Sequence, residues 1–135
     1  SRNEVLASFF RRIELCEERG SGIDKVITAI EAYQLPAPRF YAGDDYLRAF
    51  LFAHKPLNKM DRDEKIRACY QHCCLCYVLG DFASNQSLRK RFNVPERNYP
   101  TISKILSDAV GGGLIKSFNP ENKAKRYTKY IPYWA

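Results

Sequence analysis

The sequence predicts an α+β fold, with a small helix–helix–β-hairpin unit over residues 1–57 followed by three helices and a second hairpin over residues 58–135. Three observations predict it. Apolar residues recur at helical spacing in five stretches, and short strand-like stretches lie between clusters of glycine, proline, asparagine and aspartate. The run from Lys55 to Lys59, with Pro56 inside it, reads as a linker. Charge divides at the same place: residues 1–57 carry eight basic and eight acidic side chains, residues 58–135 fourteen and seven.

The first helix is expected over 4–16, where Val5, Leu6, Phe9, Phe10 and Ile13 share a side and Asn3 can cap the first turn. Gly20-Ser21-Gly22 is a turn, and a second helix over 22–34 ends at Leu35-Pro36-Ala37-Pro38, because proline cannot continue the ladder. Arg39-Phe40-Tyr41 and Tyr46 to Phe52 then form a hairpin around Gly43-Asp44-Asp45. A long helix starts near Asp61, with Asp63 and Glu64 at the positive end of its dipole, and stops at Gly80-Asp81. Ser84 or Asn85 caps a shorter helix to Phe92. A third helix covers 97–110, with Pro100 in its first turn, where a missing N–H does no harm, and ends at Gly111-Gly112-Gly113. Leu114 to Phe118 and Tyr127 to Tyr133 make the closing hairpin around a basic loop.

Composition narrows the function classes. No apolar run is long enough to span a membrane, and no secretory leader is visible. The five cysteines are odd in number and four crowd into eight residues, a poor disulfide framework, so a reducing cytoplasm is the expected compartment. The whole net charge of +7 falls on residues 58–135, which points to a polyanionic partner for that half.

Three helices and a hairpin with a basic tip make the winged variant of helix-turn-helix. The third helix has one apolar face, Ile102, Ile105, Leu106, Ala109 and Val110, to lie on the other two. Its other face can enter a major groove, so Arg97, Asn98, Tyr99, Thr101 and Lys104 are the candidates for reading bases. The preceding helix offers a polar flank of Ser87, Arg89, Lys90 and Arg91, of which Arg89 and Lys90 are assigned to phosphate. Lys123, Lys125 and Arg126 at the hairpin tip add a second phosphate contact. Asp108 and Glu96 would oppose phosphate there. The expected partner is double-stranded DNA, and binding should reside in residues 58–135. The alternative use of such a domain is protein interaction.

The stretch from Asn85 to Phe92, Ile102 to Val110, Gly113-Leu114-Ile115-Lys116 and Arg126-Tyr127 resembles the winged-helix tails of bacterial transcriptional regulators. Residues 2–54 resemble the C-terminal portion of the RecG-related ATP-dependent DNA helicase family. They do so through Arg2-Asn3-Glu4, Glu17-Glu18-Arg19-Gly20-Ser21-Gly22-Ile23 and Leu35-Pro36-Ala37-Pro38-Arg39-Phe40. That resemblance implies a parent protein with an AlbA-like, Schlafen-type N-terminal domain ahead of residue 1; many members are described as transcriptional regulators. Gly20-Ser21-Gly22 also looks like the last glycine box of histidine-kinase-type ATPases. The residues before Gly20 are too few for that sandwich, so the turn is read as a corner between two helices.

Cys69, His72, Cys73 and Cys76 share one helix face, but the outer pair would stand about 10 Å apart along the axis. One helix cannot wrap four such ligands round a zinc ion, so core packing is expected. No nucleophile–histidine–acid motif is visible in the sequence. The reading is therefore a DNA-binding module of a regulator, with no enzymatic activity of its own, no cofactor and no metal. The rivals are a piece of an ATP-dependent helicase-like protein and a module that forms a homodimer through its N-terminal segment.

Overall fold

A computed structural model describes residues 3–16, 20–119 and 128–135. Within them the chain is α+β, with five α-helices and two small antiparallel sheets. The helices are α1 (Glu4–Arg12), α2 (Gly22–Ala32), α3 (Arg62–Val78), α4 (Asn85–Arg91) and α5 (Tyr99–Gly111). Strands β1 (Arg39–Ala42) and β2 (Leu47–Phe50) form the first hairpin, and β3 (Ile115–Ser117) pairs with β4 (Tyr130–Pro132).

The core is built by α3, α4, α5 and β3. Ala68, Cys69 and Cys73 of α3 meet Leu88 of α4, and Ile102, Ile105, Leu106 and Ala109 of α5, with Ile115 behind them. Leu88 and Ile102 are fully buried, each worth roughly 1.5–3 kcal/mol over an exposed position. Val110, expected on the same face of α5, is 42% exposed, because the apolar stripe drifts off the contact in the last turn. Cys69 and Cys73 pack as small apolar groups, and burial pushes both thiols up, Cys73 to about 12.

The helix starts follow local chemistry. Asp61 caps α3 in a capping box: its carboxylate accepts from Glu64 N at 2.7 Å, and Glu64 accepts from Asp61 N at 2.8 Å. Ser84, not Asn85, caps α4, again in a reciprocal box, with Ser87. A short 3-10 helix, Glu96–Asn98, precedes α5, so Arg97 and Asn98 stand just ahead of the helix rather than in its first turn. Gly80, at φ +77, ends the turn after α3. Ala83 adds an isolated antiparallel bridge to Tyr130, through bonds of 3.2 and 2.8 Å, and so ties the α3–α4 connection to the second hairpin. The loop with Lys123, Lys125 and Arg126, together with Tyr127, lies outside the described residues.

In the N-terminal segment, Asn3 caps α1 as expected, accepting from Leu6 N at 3.0 Å. The helix stops at Arg12 rather than 16, since Ile13 leaves the helical geometry and Glu14 turns left-handed at φ +58. None of its residues is buried, and Val5, Leu6, Phe9, Phe10 and Ile13 expose much of their surface. The first hairpin is also open: Arg39 faces Phe50 and Ala42 faces Leu47, yet of its eight strand residues only Arg39 is partly covered. No described helix is long and apolar enough to cross a membrane.

The two parts of the chain meet at a polar joint. Glu31 of α2 takes His72 of α3 at 3.0 Å and Arg91 of α4 at 2.8 Å, and its other oxygen accepts from Gln71 at 3.2 Å. Arg91 also donates to the carbonyl of Leu35. Arg91, read from sequence as part of a phosphate-facing flank, is thus 95% removed from solvent and occupied. His72, expected among core groups, belongs to this joint instead.

Candidate nucleic-acid interface

The geometry begins with Asn85. As the first residue of α4 it is buried, and its amide donates to the carbonyl of Tyr99 at 3.1 Å and to Ser103 Oγ at 3.0 Å. Its carbonyl accepts from Arg89 Nε at 3.1 Å. One side chain therefore locks the start of α4 to α5 and orients the guanidinium one turn further on. Side chains four apart face the same way on a helix, which is why this pair can form.

Arg89, Lys90 and Tyr99 converge on a cleft of about 500 Å³ between α4 and α5, with Gln86, Asn93 and Glu96 around its rim. Lys90 is exposed and Arg89 half-buried. Asn93, at φ +50, turns the chain out of α4 so that the 3-10 helix can cross below it.

Thr101 and Lys104 lie on the exposed side of α5 and share a second cleft with Arg62, Lys65 and Asp108. Asp108 does not stand there as a lone carboxylate: Arg62 grips it from Nε and Nη2 at 3.3 Å, which holds its carboxyl below the usual range. Asn98 is half-buried and faces a third cleft with Thr101, His54 and Pro56, beside the linker. Arg97 is exposed on the 3-10 helix.

Seven of the sequence-derived candidates occur along the α4–α5 side: Arg89, Lys90 and Tyr99 together, Thr101 and Lys104 together, Arg97 and Asn98 between. Lys123, Lys125 and Arg126 lie outside the described residues. Sequence reasoning missed Asn85 as an organiser, and Arg62 and Lys65 as neighbours of Lys104. The i to i+4 spacing of Asn85 and Arg89 was a usable signal for the first. Nothing local signals the second, because α3 and α5 meet across forty residues of sequence.

At the joint between the two parts of the chain, a histidine has an acid and two nucleophile-type side chains about it. His72 Nδ1 faces Glu31, and Nε2 lies 3.0 Å from Ser87 Oγ and 3.5 Å from Cys76 Sγ. Ser87 is fully engaged, since its hydroxyl donates to the Ser84 carbonyl at 3.1 Å and accepts from Ser84 N at 2.9 Å. With that proton committed, the bond to His72 is satisfied by an N–H on Nε2. Burial opposes a charged imidazolium, but the Cys76 and Glu31 side chains outweigh it and raise His72 to about 9. The cluster is a structural network.

Compared with known proteins, the chain matches no curated protein and no solved structure. Residues 1–51, which hold α1, α2 and the first hairpin, match the family profile described as "Putative ATP-dependent DNA helicase recG C-terminal".

Proposed function

We propose that residues 58–135 form a winged-helix domain that binds double-stranded DNA within a cytoplasmic transcriptional regulator of bacterial type, without catalysis of its own. The observation that carries the reading is the α4–α5 side itself. Arg89, oriented by Asn85, and Lys90 flank one cleft, while Lys104 with Arg62 and Lys65 flanks the next, in the half of the chain that holds all the excess charge. Arg89, Lys90, Lys123, Lys125 and Arg126 would contact phosphate, and Arg97, Asn98, Tyr99, Thr101 and Lys104 would face bases.

The test uses the full chain. Cutting at residue 57 would strip Glu31 from the buried Arg91 and confuse folding with binding. Affinity for duplex DNA, measured across a salt series, should fall steeply as salt rises, through counterion release. Replacing Lys125 and Arg126 with alanine should weaken all sequences alike and flatten the slope by roughly one unit per lost phosphate contact. Asn98→Ala with Lys104→Ala should instead reduce the preference for a selected site by roughly 1–3 kcal/mol per lost base contact. Binding that ignores salt, or folded α5 variants with unchanged affinity and preference, would sink the proposal.

The family match over residues 1–51 favours a second reading, a segment of an ATP-dependent helicase-like protein. The open apolar side of α1 suits self-association through the N-terminal segment. ATP titration and light scattering separate these readings from the first.

A further inference from the structure

Strands β3 and β4 form a hairpin, and Ala83 pairs with Tyr130 to add a third row, so this small sheet has an inner and an outer face. Ala83 and Ile115 are buried in the core, with Tyr130 packed against it, and they mark the inner face. The Phe118 N–H donates to the Lys129 carbonyl at 2.9 Å and continues the ladder past β3. Side chains alternate along a strand, so Lys116 and Phe118 belong to the outer face. There the Phe82 and Phe118 rings meet at 4.5 Å between centroids, and Lys129 Nζ stands 4.6 Å from the centre of the Phe82 ring. At the other end of the hairpin the Tyr133 N–H donates to the Leu114 carbonyl at 3.0 Å, which sets Tyr133 four residues, about 13 Å, from Phe118 along the strand direction. Phe118 is 46% and Tyr133 67% exposed, and both lysines are exposed. Asp81, the acid next to Phe82 in the chain, turns back to accept from the Phe82 N–H at 2.7 Å.

Open aromatic rings with cations beside them suit a partner made of flat rings joined by anionic links. Bases stack on such rings whatever their sequence, and phosphates meet the lysines. A duplex does not fit, since its base faces are covered and only their edges show in the grooves. We infer that the outer face of this sheet is a stacking platform for single-stranded nucleic acid, with Phe118 and Tyr133 under bases and Lys116 and Lys129 against phosphates. The platform is built from the second hairpin and not from the α4–α5 clefts, and it stands whether or not those clefts hold a duplex.

Fluorescence anisotropy of the full chain with a labelled oligothymidylate of roughly 12 nucleotides, within the span such surfaces cover, tests it. An abasic strand of the same length has the same phosphates and no rings, so it should bind about tenfold or more weakly. Phe118→Leu with Tyr133→Leu keeps the apolar bulk and removes the flat rings. It should lower oligothymidylate affinity about tenfold or more and leave the abasic strand unaffected. The thermal midpoint should move little, since neither side chain is buried. Lys116→Gln with Lys129→Gln should instead weaken both strands alike and flatten the salt dependence. Oligouridylate in parallel tells an RNA source from a DNA one. Equal affinity of the native chain for oligothymidylate and the abasic strand would overturn the inference without any variant being made. So would unchanged oligothymidylate affinity in the folded Phe118→Leu, Tyr133→Leu chain, or no saturable response to either base-bearing strand.

Discussion

Glu31 is one carboxylate with three donors around it, and its behaviour with pH follows from theirs. Burial works against its charge, but the bonds from His72 and Arg91 outweigh that and hold its pKa below the ordinary value. Its contribution is therefore present above pH about 4.5 and is lost as pH falls through the lowered folded value. His72 runs the other way. Its folded pKa of about 9 lies above the unfolded value near 6.5, so its contribution is complete below about 6.5 and fades as pH rises through 9. Denaturant unfolding should show stability falling across that window by on the order of 3 kcal/mol. Glu31→Gln should flatten the slope and cost roughly 3 kcal/mol, since Arg91 would stay buried without its charge partner. A flat profile in the native chain would refute the role given to His72. At this scale the sequence was legible where partners are near in the chain. The cap at Asn3 was read from sequence, whereas Asp61 was read as the start of α3 and not as its cap. Arg91 was not separable from Arg89, because what buries it is a glutamate sixty residues earlier.

Helix α4 has only seven residues, too short to persist in water without help. Its stability comes from both ends: the Ser84–Ser87 box at the start, and Leu88 and Phe92 in the core. Ser84→Ala should cost about 1 kcal/mol or somewhat more, because Ser87 would also lose the geometry that meets His72. Asp61→Ala should cost about 1 kcal/mol, confined to the start of α3. Thermal midpoints of the two variants check this, and equal, negligible shifts would show that packing alone sets both helices. Helices and hairpins were legible from the period of apolar residues and from proline and glycine punctuation. The helix ends were less so: α1 shows apolar spacing to Ile13, yet it finds no core to rest on and stops at Arg12. For α5, Arg97 and Asn98 were read one turn too far inside, since a 3-10 helix and the first α-turn share the same local signals.

Across the whole molecule, burial is concentrated in residues 58–135, and the N-terminal segment is held to them mainly through α2. Sequence placed a divide near residue 57, from composition and charge. It could not show that Glu31 bridges that divide, because long-range ion pairs leave no periodic trace. The candidate interface was legible as a side of the molecule, from charge on expected elements, but not as separate clefts, which depend on how α3 leans on α5. The unequal burial also bears on how the protein fails. The first hairpin has two strands, and among the described residues neither outer edge is paired, while Leu47 is 65% and Phe50 41% exposed. A lone two-stranded sheet is marginal in water, and a bare apolar edge is a template for intermolecular strand addition. Warmed short of its melting point, the chain should therefore clump by strand stacking at this hairpin while α3 and α5 are still intact. Light scattering should rise with concentration before helical signal is lost. Leu47→Lys should delay that onset while moving intrinsic stability by no more than about 0.5 kcal/mol. Shelf life and melting temperature would then be governed by opposite ends of the same chain.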